Sequence, residues 1–257
     1  MKWMFIFLLL TACNSTPNIK INKHPTFEIL IEPEVKPICH SEMTHIEGKY
    51  CPKVKNECLN WLDDSSLPYA RCKEYKNPST CLVDKVDMNY CISTEELNDN
   101  FGLPYGDKSW NECKKICESR ELRLCIESEW VFACSGVDMH PYPYGNGFIF
   151  NTTSCNVERK NLVCGKEICD LRSNVNEFPE CTSTFGIHNM VGNVDEWVRG
   201  NLYYSSHNDA APIRSILFGG YYGGGRHRCL FSKTVDHDEH FINKNTTGCR
   251  CCSNILE

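Results

Sequence analysis

At 257 residues the chain is long enough for one sizeable domain or two small ones. Its net charge of −6 and pI near 5.9 leave no basic footprint for nucleic acid, so that class of partner is excluded. Met1 and Lys2 make a short positive start, Trp3 to Leu10 is an unbroken apolar run, and Leu10-Thr11-Ala12-Cys13 follows. A run this short cannot cross a bilayer core as a helix, which takes about 20 apolar residues. It does suit the apolar region of a secretory signal.

A cysteine placed directly after small residues resembles the lipobox of bacterial lipoproteins, where the thiol takes a diacylglyceryl group before cleavage. Residues 1–12 are therefore expected as a signal peptide and Cys13 as the lipidation site. A thioether lipid with an added amide-linked palmitate-type chain supplies the two hydrophobic signals that stable anchoring needs. Asn14, where aspartate would favour inner-membrane retention, points to the outer membrane, so a lipid-anchored, extracytoplasmic envelope protein is expected. Export gives the 19 cysteines their meaning: with Cys13 set aside an even number remains. That fits a disulfide framework whose pairing the sequence leaves open. No two C-x-x-C pairs stand at ribbon-like spacing, so structural zinc is not expected. Asn-Thr-Thr at Asn151 and Asn245 are formal glycosylation acceptors, which a bacterial export route would leave unused.

Residues 13–38 are polar, carry Pro17, Pro25, Pro33 and Pro37, and read as a lipidated tether. Residues 39–85 form a cysteine-rich extension with little periodicity; a short helix is predicted over Glu57 to Trp61, with stapled loops elsewhere. From Val86 the chain becomes more regular. Ser109-Trp110-Asn111-Glu112 is a capping-box pattern, after which Trp110, Cys113, Ile116 and Cys117 recur at helical spacing. A second helix is predicted from Glu127 to Cys134, with Glu127 and Glu129 at its positive end and Gly136 as its stop. Beyond Gly136, glycine, proline and asparagine punctuate short segments, so loops with short strands are expected.

Taken in order, these landmarks resemble the formylglycine-generating, sulfatase-modifying enzyme family. Ser109-Trp110-Asn111-Glu112, then Arg123-Leu124, Glu127, Glu129-Trp130 and Ala133 look like its helical segment, and Pro141 to Asn146 like its aromatic, proline-rich turn. The run Phe185-Gly186-Ile187-His188-Asn189-Met190-Val191-Gly192-Asn193-Val194-Asp195-Glu196-Trp197 is close to its most recognisable stretch. Gly219-Gly220-Tyr221-Tyr222 and Gly248-Cys249-Arg250-Cys251-Cys252 complete the order. The resemblance covers residues 86–254 and implies an α+β domain of the formylglycine-generating-enzyme fold. That fold is related to C-type lectins and low in regular secondary structure, and here it would be disulfide-rich. The stretch from Glu47 to Cys81 looks like an extension seen in lipoproteins of this family from myxobacteria.

The family's active members oxidise a substrate cysteine with copper held by two thiolates, soft ligands that select Cu(I). The resemblance places that pair shortly after Gly219-Gly220, where this chain has Gly223, Gly224 and Gly225; Cys229 aligns with a later structural cysteine. Asp195 also replaces the tryptophan usual at its position. Copper is therefore not expected, and no catalytic residue is assigned. The related sulfoxide synthases use iron on three histidines and an additional helical domain, and no such domain is expected from this sequence. The resemblance does imply structural calcium, held by Asn189, Gly192, Val194 and Glu196, because a turning loop can aim carbonyls and a carboxylate at one hard ion. The competing account is that these residues serve only turn geometry and packing. A second calcium site would use Asn156 and Val157 with Glu167 or Asp170.

Asp236-His237-Asp238-Glu239-His240 carries transition-metal ligand types, but neighbours in a loop diverge and such runs are usually solvated. Tyr203, Tyr204, Tyr221 and Tyr222 beside Gly223 to Gly225, with Arg226 and Asp195, suggest a ligand cleft; core packing is the competing account. The leading expectation is a non-catalytic envelope module binding a peptide, glycan or neighbouring protein. Its rivals are an active cysteine or other metal-dependent oxidoreductase, and a purely structural envelope protein. The missing thiol pair after Gly220 separates the first two.

Overall fold

The computed structural model describes residues 38–67, 70–200, 215–224, 227–230 and 237–256. Cys13, the tether, Tyr203, Tyr204, Gly225, Arg226 and Asp236 lie outside them. In chain order the elements are β1 (Met43–Tyr50), β2 (Val54–Lys55), β3 (Cys58–Trp61), β4 (Cys72–Tyr75), β5 (Thr80–Cys81), β6 (Val86–Ser93), α1 (Trp110–Glu118), β7 (Arg123–Leu124), α2 (Glu127–Ser135), β8 (Val163–Cys164), β9 (Glu167–Ile168), β10 (Asp195–Arg199), β11 (Ser215–Phe218), β12 (Thr247–Cys249) and β13 (Cys251–Ser253). Two short helices and many short strands match the predicted α+β character. No helix among the described residues is long and apolar enough to cross a membrane.

Two sheets carry the core. One has the order β1-β6-β13-β7; the other places β10 between antiparallel β11 and parallel β12. α1 begins where the capping box predicts: Ser109 Oγ accepts from the Glu112 amide, and the Glu112 carboxylate accepts from the Ser109 amide. α2 runs from Glu127 to Ser135 with every residue buried, as suits a helix enclosed on all sides. Its Trp130 packs on Phe218 of β11 at 5.0 Å between ring centroids. Gly136 ends it at φ +68°, a conformation that favours glycine.

The disulfides follow from element geometry. Cys113 and Cys117 lie one turn apart on α1, roughly 6 Å along the axis, and Cys249 and Cys251 lie two residues apart along the chain through β12 and β13, about 6.6 Å. The two spacings match, and the pairs Cys113–Cys249 and Cys117–Cys251 form. Strand alternation turns Arg250 and Cys252 to the opposite side, where Cys252 meets Cys125. All cysteines from Cys39 to Cys252 are paired.

One expectation about the extension changes. Glu57 to Trp61 is not helical: Cys58–Trp61 is β3, paired with β4 and closed by Cys58–Cys72. A five-residue window shows no helical period strong enough to resist a cross-linked hairpin. The extension also shares a sheet with the segment that follows Lys85. β1 pairs with β6 along its whole length, Met43 opposite Ser93 and Tyr50 opposite Val86, and Pro37–Glu257 is one compact unit. The Tyr75 amide of β4 also donates to the Phe148 carbonyl at 2.9 Å.

Candidate functional site

The stretch from His188 to Trp197 approaches β10 through three left-handed residues, Asn189 (φ +55°), Gly192 (φ +79°) and Asn193 (φ +58°). Asparagine and glycine are the residues that take this conformation at least cost. At Gly192 space also decides, because a Cβ would stand 2.4 Å from the Asn156 carbonyl oxygen. Asn193 then uses every polar position of its amide. Its oxygen accepts from Asn156 Nδ2 (3.0 Å) and the Ser173 amide (2.9 Å), while Nδ2 donates to Glu96 Oε2 (2.7 Å) and the Ser173 carbonyl (3.2 Å).

Glu196, next along β10, meets Arg250 in the interior. Both side chains are 1% exposed or less. Arg250 Nη2 donates to Glu196 Oε1 at 2.7 Å and Nε to Oε2 at 2.9 Å; Trp130 Nε1 donates to Oε2 at 2.6 Å. The remaining guanidinium donors reach the carbonyls of Ser93 (2.8 Å), Thr94 (3.1 Å) and His188 (2.8 Å). Arg250 thus ties β10, the end of β6 and the signature turn to one point. Close by, Glu96 is also 1% exposed, and burial foremost, then the Glu196 charge, push its carboxyl well above the usual range.

The place that resemblance assigns to the copper thiols is equally defined. Gly219 (φ +90°) accepts from the Gly192 amide at 3.1 Å, so the glycine turn lies directly on the signature turn. Gly223 and Gly224 follow without a thiol, and Cys229 is fully buried in a disulfide with Cys134.

The model of the sulfatase-modifying factor enzyme 1-like domain family matches residues 69–255, most of the chain. The chain belongs to that family. Among its relatives, inactive Cα-formylglycine-generating enzyme 2 of Mus musculus is 25% identical over 258 residues, spanning 92% of this chain and 80% of that protein. The Bos taurus protein of the same name is 29% identical over 162 residues, spanning 61% of this chain and 52% of its own length. PvdO from Pseudomonas aeruginosa shares the fold at TM-score 0.51 and 14% identity, over 82% of this chain and 94% of that one. CarF does so at TM-score 0.50 and 13% identity, over 86% and 99%.

Within this sulfatase-modifying-factor framework the expected calcium ligands share one turn, and as folded the carboxylate among them is committed to Arg250. Glu196, the carboxylate of the set, has both oxygens on a guanidinium. A dication there would face the Arg250 charge directly. The second set fares similarly: Asn156 Oδ1 accepts from Arg159 Nε (2.6 Å), Glu167 pairs with Lys244 (2.7 Å) and Asp170 with Arg172 (2.7 Å). Among the described residues no group of three or more histidines, cysteines or acids is placed to hold a metal. In the run from Asp236 to His240, His237 stacks on Phe241 and meets the Trp197 ring edge-on, while Asp238 Oδ1 accepts from the His240 amide.

Of the expected cleft, Tyr222 is fully buried, its hydroxyl donating to the Cys169 carbonyl. Asp195 is 4% exposed, with Oδ1 accepting from the Gly220 amide at 3.0 Å. Both side chains are buried and hold the turn together. Tyr221 is partly exposed, edge-on to Tyr222. The Arg250–Glu196–Glu96–Asn193 centre does not stand out in the sequence as a unit. Its signal was one charged residue inside Cys-Arg-Cys-Cys: neighbours locked into the interior force that charge to find a buried partner.

Proposed function

We propose that this chain is a non-catalytic binding module of the bacterial cell envelope, anchored through lipid on Cys13, whose ligand is an envelope peptide, glycan or neighbouring protein. The observation that carries the reading is thiol chemistry. Copper-dependent oxidation of a cysteine needs two soft thiolates, and every cysteine from Cys39 to Cys252 is already spent in a disulfide. The glycines after Gly220 supply no replacement donor, since glycine has no side chain to coordinate with. Likeness to two mammalian proteins named as inactive formylglycine-generating enzymes supports the same conclusion. Envelope anchoring rests on the sequence: the apolar run from Trp3 to Leu10 and the lipobox-like residues before Cys13.

The test is a peptide-oxidation assay. Purified protein receives Cu(I), oxygen and a sulfatase-type cysteine peptide, and aldehyde is sought by mass spectrometry. The expected result is no aldehyde above a no-protein control. Copper-dependent aldehyde would overturn the non-catalytic reading.

A further inference from the structure

His227 sits between the glycine turn that follows β11 and the loop at Glu158, with its side chain 1% exposed. Its Nε2 stands 2.7 Å from the Tyr221 carbonyl oxygen. Its Nδ1 stands 3.3 Å from Glu158 Oε1 and makes no aligned hydrogen bond there. Glu158 is itself held in a left-handed conformation (φ +54°), and its other oxygen takes Arg71 Nη1 at 2.6 Å. Asp63 closes the row behind Arg71. The other charged groups of these segments are Arg159, whose Nε donates to Asn156 Oδ1, and Arg228, whose Nη1 donates to the Tyr75 hydroxyl.

Both ring nitrogens of His227 therefore face oxygen acceptors. A neutral imidazole carries one N–H and one lone pair, so neither tautomer serves both contacts. With the proton on Nε2, the Nδ1 lone pair meets a carboxylate. With it on Nδ1, the Nε2 lone pair meets a carbonyl at hydrogen-bonding distance. Only the imidazolium, a donor on both sides, suits the arrangement. Losing one proton sets the two contacts against each other. Glu158 wins, because a hydrogen bond to an ionised acceptor is roughly twice as strong as one to a neutral carbonyl. Its carboxyl stays ionised throughout the range in which histidines titrate, since His227 and then Arg71 hold it down to about 2. The Tyr221 carbonyl then keeps the Gly224 amide, at 3.0 Å, and loses its tie to the interior.

We propose that His227 is a proton-operated latch on the glycine turn: protonated, it fastens Tyr221 to the Glu158–Arg71 clasp, and deprotonated, it lets the turn go. The turn, with its partly exposed Tyr221 ring, is held at mildly acidic pH and freed at mildly alkaline pH. This holds whatever the turn binds, and whether or not the module is catalytic.

Hydrogen–deuterium exchange of the full chain in detergent tests it, read by mass spectrometry at about pH 5.5 and about pH 8, either side of the ordinary histidine range. Exchange times are scaled for the chemical rate. Peptides covering Gly219 to Gly224 report the turn, whose Tyr222 and Gly224 amides are hydrogen-bonded, and peptides from α2 serve as the fixed reference. Scaled exchange in the turn is expected to rise about fivefold or more from the lower pH to the higher, the equivalent of one hydrogen bond in the local opening equilibrium, while α2 stays unchanged. His227→Gln, which does not titrate, is expected to abolish the step. Glu158→Gln is expected to abolish it with the turn closed at both values, because the neutral Nε2–H tautomer then serves Tyr221 unopposed. If His227→Gln fails to fold, Glu158→Gln decides alone. A turn whose scaled exchange ignores pH, a rise toward acid instead, or a wild-type step persisting in either variant would each overturn the latch.

Discussion

Two arginine–carboxylate centres in this chain use the same chemistry at different depths. Arg250 meets Glu196 with both side chains essentially inaccessible. Arg71, just before β4, forks onto Asp63 (2.7 Å from both Nε and Nη2) and reaches Glu158 Oε2 at 2.6 Å, with its side chain 34% exposed. Both guanidiniums bond in the planar fork that suits carboxylates. Water separates them energetically. The outer centre clasps the extension to the loop at Glu158 and can exchange its bonds for hydration. The inner one has no such alternative, so its geometry is a condition of the fold.

The comparison breaks most visibly at Arg250. Arg250→Met leaves Glu196 buried without its counter-charge and is expected to cost about 3–5 kcal/mol. Arg250→Met combined with Glu196→Leu removes both charges and is expected to recover much of that loss, since buried pairs often match apolar replacements. Urea unfolding followed by circular dichroism reads both. A double variant no more stable than the single one would show that the loss came from packing and not from a stranded charge.

The depth difference also marks how much of the molecule was legible beforehand. The capping box at Ser109, the stop at Gly136 and the ordered family motifs were readable because each is a local pattern with a local cause. Pairing of β1 with β6 was not, because register over some forty residues depends on tertiary contacts that Met43–Tyr50 does not encode alone. The site divides in the same way. Asn189, Gly192 and Asn193 stood out in sequence, but their left-handed backbone accounts for them before any ligand does. Tyr222 and Asp195 carry binding-type side chains, yet long-range folding spends both on backbone groups. Arg250 shows the converse, a position read as part of a motif whose role appears only when β10 and β6 are brought to it.

The outer centre should answer to pH. Glu158 is held down to about 2 by His227, whose Nδ1 stands 3.3 Å away, and by Arg71. A carboxyl depressed on folding adds stability that is fully present above its unfolded value near 4.5 and is lost as pH falls toward 2. Partial exposure screens the contribution to about 1 kcal/mol. Glu158→Gln is therefore expected to lower stability by about that amount at pH 7 and to flatten the acid limb of the stability curve between pH 4.5 and 2. Identical limbs in the two proteins would show that the clasp contributes nothing.

The smallest expected effect is the sharpest test of the inner centre. A calcium ion present at a hundred times its dissociation constant stabilises a fold by about 2.7 kcal/mol, which is several degrees in melting temperature. To bind at Glu196 it must displace Arg250, whose charge then stays in the interior without its ion-pair partner, bonded to backbone carbonyls. That penalty is of the order of the ion's own gain. Melting curves in millimolar calcium and in excess chelator are accordingly expected to coincide. A separation of several degrees would mean that the signature turn opens, that Arg250 moves aside, and that the buried pair is a latch on a metal site and not its replacement.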